Sequence, residues 1–318
     1  MNKRKIKRYD SESISMLDAK NLYNQMKVAK GVTKDCIDNF NTAYELFCRE
    51  NEISEDSPVS VITEQTIYSW IDYMTEVKHL RAESINAYLS RMRTFLYWCM
   101  DNNYLEQFKI SLVSHQEESL KYYTDDDLKA LLRKPDNNCS FTEYRSWVIV
   151  CFILGTGARA GTICNIKQED VDFNAKEVAY RHLKNKKYTI VPLSNSLCNI
   201  LSEYLRTWNL HDCEYLFCDV GEGMLTTSAI RQALNKYCKK RGVQALGPHA
   251  LRNSFARGWI RNGGGAFQLQ QMLTHSDLTM TRRYVKLFSL DLQDDVQQFN
   301  PLDSLRKGTS RTKTVARR

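Results

Sequence analysis

Apolar side chains recur along most of this chain at intervals of three and four residues, the spacing of one face of an α-helix. The period is clearest in four early segments: Leu17–Lys30, Lys34–Arg49, Thr63–Val77 and Arg81–Met100. The second carries Ile37, Phe40, Tyr44 and Phe47 on one face, and the third Ile67, Trp70, Ile71 and Met74. Four singly striped helices bury their stripes against one another, so residues 13–113 are expected to form a helical domain. The period then lapses in a polar stretch, and 114–123 reads as a linker. Beyond it the pattern predicts a buried helix over Ser146–Leu154 and short β-runs at Val178–Tyr180 and Tyr188–Val191. Further helices are expected at Ser194–Trp208, Thr227–Arg241, Pro248–Arg261, Gln268–Leu273, Thr279–Lys286 and Leu290–Phe299. The expected fold class is mainly α with a small antiparallel sheet, the second domain spanning 124–300. Thr124 and Asp127 have the spacing of a helix-capping box. Successive helical residues point about 100° apart, so Asp125, Asp126 and Asp127 do not converge on a metal ion.

Composition narrows the class. Gly and Pro number 13 and 5 in 318 residues, less than half of the usual share of about 12%, which disfavours turn-rich β architectures. The longest apolar run, Trp147–Leu154, is eight residues, too short to span a bilayer. The Met-Asn-Lys-Arg-Lys start suggests no secretory leader, and ten cysteines without a CxxC pair read as reduced thiols in a cytoplasmic protein.

The formal charge of +8 is unevenly placed. Residues 1–8 hold five basic side chains and 306–318 hold six, with no acid in either. The remainder carries 34 basic against 37 acidic groups. A basic arm over 1–12 and a basic tail over 301–318 suit nucleic acid or an anionic membrane, or else solvated disordered ends. Arg81, Arg91 and Arg93 lie among the aromatics of the fourth helix, and suit either a solvated bundle face or DNA phosphates. Lys186 and Lys187 beside Lys184 suit either a solvated hairpin tip or the same phosphates.

The candidate chemistry lies in an ordered set. Thr156-Gly-Ala-Arg159 places an arginine at a Gly-flanked helix start. Lys184 lies between the two β-runs. Pro248-His249-Ala-Leu-Arg252 opens a helix with His and Arg at i and i+3, facing the same way. Leu273-Thr-His275-Ser-Asp follows, and nine residues beyond His275 comes Tyr284. Two guanidiniums bind non-bridging phosphate oxygens bidentately and stabilise charge that develops there. A tyrosine, ordinarily a poor nucleophile at neutral pH, attacks phosphorus in such a setting.

In these residues, in Pro-His-Ala-Leu-Arg-Asn-Ser-Phe-Ala and in His-Ser-Asp-Leu-Thr-Met-Thr-Arg-Arg-Tyr, the chain resembles the tyrosine recombinases of integrase and Xer type. The resemblance covers about residues 124–300, and 13–113 in layout only. It implies a four-helix, SAM-like core-binding domain followed by a catalytic domain. It implies Arg159, Lys184, His249, Arg252, His275 and Tyr284 as the catalytic set, with Tyr284 as nucleophile and Lys184 (Lys186 as fallback) as general acid. His249 would assist Tyr284 or orient the phosphate, and His275 would hydrogen-bond the phosphate. It further implies a 3′-phosphotyrosine intermediate formed without metal or other cofactor. The implied partners are double-stranded DNA sites, a homotetramer on paired sites and accessory or directionality proteins, in the nucleoid. Apolar residues after the nucleophile (Leu287, Phe288, Leu290, Leu292, Val296, Phe299) suit packing on a neighbouring protomer or on the chain's own domain. Integration or excision of a mobile element is the expected role. Xer-type dimer resolution, a non-catalytic DNA-binding factor of this fold and a type IB topoisomerase are the alternatives. Two positions depart from the family pattern: Thr162 stands where an acid is usual, and Thr274 stands where glycine usually precedes the second histidine.

Overall fold

In the first third of the chain the predicted stripes become α1 (Met16–Ala29), α2 (Lys34–Glu50), α3 (Glu64–Asp72) and α4 (Ala82–Asp101). The computed structural model describes residues 14–114, 120–181, 188–210, 213–275 and 277–288. The chain divides between Glu118 and Ser119 into two units, each with its own apolar core. In the first unit, Ser15 caps α1 by accepting from the Asp18 amide, and Thr63 with Thr66 forms a capping box on α3. Capping of this kind contributes about 1 kcal/mol per helix. The third predicted helix does not run regularly to Val77. It widens after Asp72 into a π-helical turn, Tyr73–Val77, closed by the Lys78 amide on the Tyr73 carbonyl at 3.1 Å. Phe95 of α4 is the hub of the core, its ring centroid 5.3, 5.4 and 5.9 Å from those of Tyr23, Phe40 and Tyr44. Arg81 is the exposed N-cap residue of α4, whereas Arg91 and Arg93 are half-buried, with Arg91 5.7 Å over the Tyr88 ring.

The second unit opens with α5 (Asp125–Leu132), capped as expected by the Thr124–Asp127 box. The three acids hold no common centre: Asp127 caps, Asp126 pairs with Lys129, and Asp125 pairs with Arg257 and Arg261. Next comes α6 (Phe141–Thr156), the core helix, with every side chain from Tyr144 to Ile153 buried. It extends beyond the predicted 146–154 because Ser140 caps a polar first turn. A helix enclosed all round packs on several others, and α6 packs on α5, α8 (Asn195–Thr207), α9 (Thr227–Lys240) and α10 (Pro248–Arg261).

Between α7 (Ala160–Asn165) and α8 lies an antiparallel sheet of β1 (Val171–Asp172), β2 (Glu177–Tyr180) and β3 (Thr189–Pro192). Val178 pairs with Val191 and Tyr180 with Thr189. The two residues of β1 offer no alternation for a sequence to show. The last elements among the described residues are α11 (Ala266–Met272) and α12 (Leu278–Phe288).

Residues 121–123, read from the sequence as the end of the linker, are tied into this second unit. The Lys121 carbonyl accepts from Asn253, the Tyr123 amide donates to Ser254, and the Tyr123 ring is buried. All ten cysteines are free thiols, and among the described residues no helix is long and apolar enough to cross a membrane. The arm 1–12, the tail 301–318, the predicted helix Leu290–Phe299 and Lys184, Lys186 and Lys187 lie outside the described residues, as do the side chains of Leu287 and Phe288.

Candidate active site

Three turns bring distant parts of the second unit together. The first ends α6: Gly157 adopts φ +68°, in the left-handed region that disfavours side chains. A Cβ there would lie 2.6 Å from Leu273 and 2.7 Å from Phe255, so glycine is required by backbone and by space. This turn sets Arg159 at the N-cap of α7 and presents the Gly157 carbonyl to Arg252, whose Nη1 donates to it at 2.6 Å. The second turn, Gly247-Pro248, starts α10 and carries His249 and Arg252 into the same region. The third follows α11, where Leu273, Thr274 and His275 are all engaged by the two arginines.

Arg252 is 2% exposed, and among the described residues its hydrogen-bond acceptors include no carboxylate. Besides Gly157 it donates from Nη2 to the Leu273 carbonyl at 2.7 Å and to His275 Nε2 at 2.8 Å. Burial, then the Arg159 charge, pushes its pKa down to about 10, which leaves it cationic at neutral pH. Arg159 is half-buried and donates to Thr274 Oγ1 at 3.0 Å. Burial lowers its pKa, and Tyr284 opposes the shift.

An arginine only donates, so the Arg252 contact fixes the tautomer of His275. Nε2 is the acceptor, and Nδ1–H donates to Thr281 Oγ1 at 2.9 Å. Burial, followed by Arg252, Arg159 and His249, pushes the His275 pKa down to about 4, so the ring is neutral. It stacks on Tyr284, with centroids 6.1 Å apart and planes inclined by 11°. His249 keeps an exposed edge, yet its surroundings exclude enough water to lower its pKa, aided by Arg252, Arg159 and Arg283.

Tyr284 projects from α12, 5% exposed, and its hydroxyl donates to Asn253 Oδ1 at 2.9 Å. The Asn253 Nδ2 donates in turn to the Lys121 carbonyl at 2.8 Å, which fixes the orientation of the amide. The phenol also hydrogen-bonds Arg252. Five of the six sequence-selected residues therefore meet in one place: Arg159, His249, Arg252, His275 and Tyr284. Lys184 lies outside the described residues. Arg81, Arg91 and Arg93 belong to the first unit.

Sequence reasoning missed the residues that hold this set. Asn253 follows Arg252 directly, and Thr281 lies one turn before Tyr284 on α12. Their only signal was adjacency. Thr162, at the usually acidic position, is buried on α7 and brings no negative charge. The cluster thus concentrates guanidinium charge around a tyrosine, as a phosphodiester site requires.

Comparison with known proteins shows the family. The model of the phage integrase family matches residues 121–289. The tyrosine recombinase XerC of Staphylococcus aureus is 27% identical over 223 residues, covering 68% of this chain and 74% of the relative. A lambda integrase dimer bound to a COC′ core site superposes with a TM-score of 0.67 at 16% identity, over 86% of this chain and 78% of that one. The XerH site-specific recombinase bound to a palindromic difH substrate gives a TM-score of 0.67 at 17% identity, over 88% and 84%. The two structures share the fold, and the family match spans more than half of the sequence; the chain belongs to the phage integrase family, the tyrosine recombinases.

Proposed function

We propose that this protein is a site-specific DNA recombinase that cleaves and rejoins duplex DNA through Tyr284. The observation that carries the reading is the buried Tyr284 hydroxyl beside Arg252, in a site where, among the described residues, neither Arg159 nor Arg252 donates to a carboxylate. Arg159 and Arg252 bind the non-bridging oxygens of the scissile phosphate and stabilise their charge as the phosphorus is attacked. The Tyr284 oxygen forms the new bond to phosphorus and the bond to the 5′-oxygen breaks. The phenolic proton passes to His249, and Lys184 protonates the departing 5′-oxygen. The product is a 3′-phosphotyrosine and a free 5′-hydroxyl. Reversal by a second 5′-hydroxyl reseals the strand, with the bond energy kept in the ester. His275 has both ring nitrogens committed within the protein, so its role is to position Arg252 rather than to bind the phosphate.

The two units would hold duplex DNA jointly, and four copies on two sites would exchange strands in pairs. Integration or excision of a mobile element suits the basic segment after Pro301. The test uses nicked suicide duplexes taken from the DNA flanking the protein's own gene. A covalent adduct is expected with the native chain and none with Tyr284→Phe. An adduct that survives in Tyr284→Phe, or a native chain inert on every flanking duplex, overturns the reading.

A further inference from the structure

Seven residues other than glycine have positive φ among the described residues, and Thr274 is the only β-branched one, at φ 51°. A branched Cβ is particularly unfavourable in the left-handed region. Thr274 follows the last turn of α11, where helices usually end on glycine for that reason. Its amide donates to the Gln271 carbonyl at 3.0 Å, so the strained conformation is part of a closed turn. Glycine would relax this backbone, so the side chain must supply something that glycine lacks.

What it supplies lies across the active site. Oγ1 accepts from Arg159 Nη1 at 3.0 Å, a bond between residues 115 apart in sequence. The neighbours of Thr274 perform the same service for the other arginine: the Leu273 carbonyl and the His275 ring both accept from Arg252. Three consecutive residues thus form a bracket for both guanidiniums, and Thr274 is the part of it that reaches Arg159. The left-handed turn lets adjacent residues serve partners on different elements, α7 and α10.

We propose that Thr274 is a positioning residue for Arg159, its hydroxyl holding the guanidinium in the direction from which it meets a phosphate oxygen. The proposal rests on the recombinase reading above, and its test separates the two. Thr274→Gly removes the hydroxyl and relaxes the turn, whereas Thr274→Ser keeps the hydroxyl. In the full-length protein on nicked flanking duplexes, Thr274→Gly is expected to slow adduct formation at saturating protein by roughly 10–100-fold. DNA affinity should stay within about twofold and the Tm should not fall, because backbone relaxation offsets the lost bond. Thr274→Ser is expected to recover most of the rate. A merely structural threonine would lower Tm and rate together.

A second readout needs no DNA. In nitrogen NMR spectra, with the Arg159 guanidinium signals identified by their loss in Arg159→Lys, hindered rotation should disappear in Thr274→Gly and persist in Thr274→Ser. If native protein forms no adduct, the recombinase reading fails while the spectra still decide the role of Thr274. Unchanged Arg159 signals in Thr274→Gly, or an unchanged cleavage rate in an active protein, overturn the proposal.

Discussion

His275 is neutral first because it is buried, and then because its two ring nitrogens have opposite tasks. Nε2 must accept from Arg252, so its protonation would set a second cation against a buried guanidinium. The folded-state pKa, about 4 against an ordinary 6.5, makes this visible in stability. Above pH 6.5 neither folded nor unfolded chain protonates the ring, and its full stabilising effect is present. Between 6.5 and 4 the unfolded chain takes up the proton first, so stability falls with falling pH. The linked loss is on the order of 3 kcal/mol. Chemical denaturation of native protein and His275→Gln across this range should show a flatter slope for the variant. Equal slopes would mean that folding does not lower the pKa of this ring.

The elements that build the site were legible to different degrees. The helix carrying His249 and Arg252 and the helix carrying Tyr284 show in the sequence, through Pro248, the i, i+3 pair and the apolar period. Their convergence does not show, because it depends on α6 ending in a left-handed turn that contacts residues a hundred positions away. Gly157 makes the point: in sequence it flanks Arg159, whereas in space it lies under Leu273 and Phe255 and its carbonyl accepts from Arg252. Gly157→Ala is therefore expected to cost at least about 2 kcal/mol, from strain at positive φ and overpacking. It should also reduce adduct formation more than the lost stability accounts for, since both arginines are anchored at this turn. Thermal unfolding and suicide-substrate cleavage of one preparation test both parts. Asn253 and Thr281 escaped the sequence reading for a related reason: neither residue type is distinctive, and only packing gives their hydroxyl and amide a partner.

At the scale of the whole molecule, charge and chemistry are separated. The body is slightly acidic and the excess positive charge lies in short terminal stretches. If the last stretch meets phosphates, deletion of 306–318 should reduce the slope of log affinity against log salt by about 0.9 for each basic group engaged, up to about 5 for all six. Cleavage within the bound complex should be preserved. An unchanged slope would assign the phosphate contacts to the rest of the chain. Those units have separate cores, one built on the aromatic hub at Phe95 and the other on α6. The apolar period lapses after Val113, the chain divides between Glu118 and Ser119, and Lys121 and Tyr123 are tied into the second unit.

The anchoring of Arg252 also bears on how such a protein diverges. Two of its acceptors are main-chain carbonyls, those of Gly157 and Leu273. A carbonyl is present whatever side chain the residue carries, so mutation cannot delete it. Had the anchor been an aspartate or glutamate, one nucleotide change would have released the arginine and removed a charge. Here position 273 is free to exchange one apolar side chain for another while the guanidinium remains in place. A lineage built this way can drift far in sequence before its phosphate grip fails.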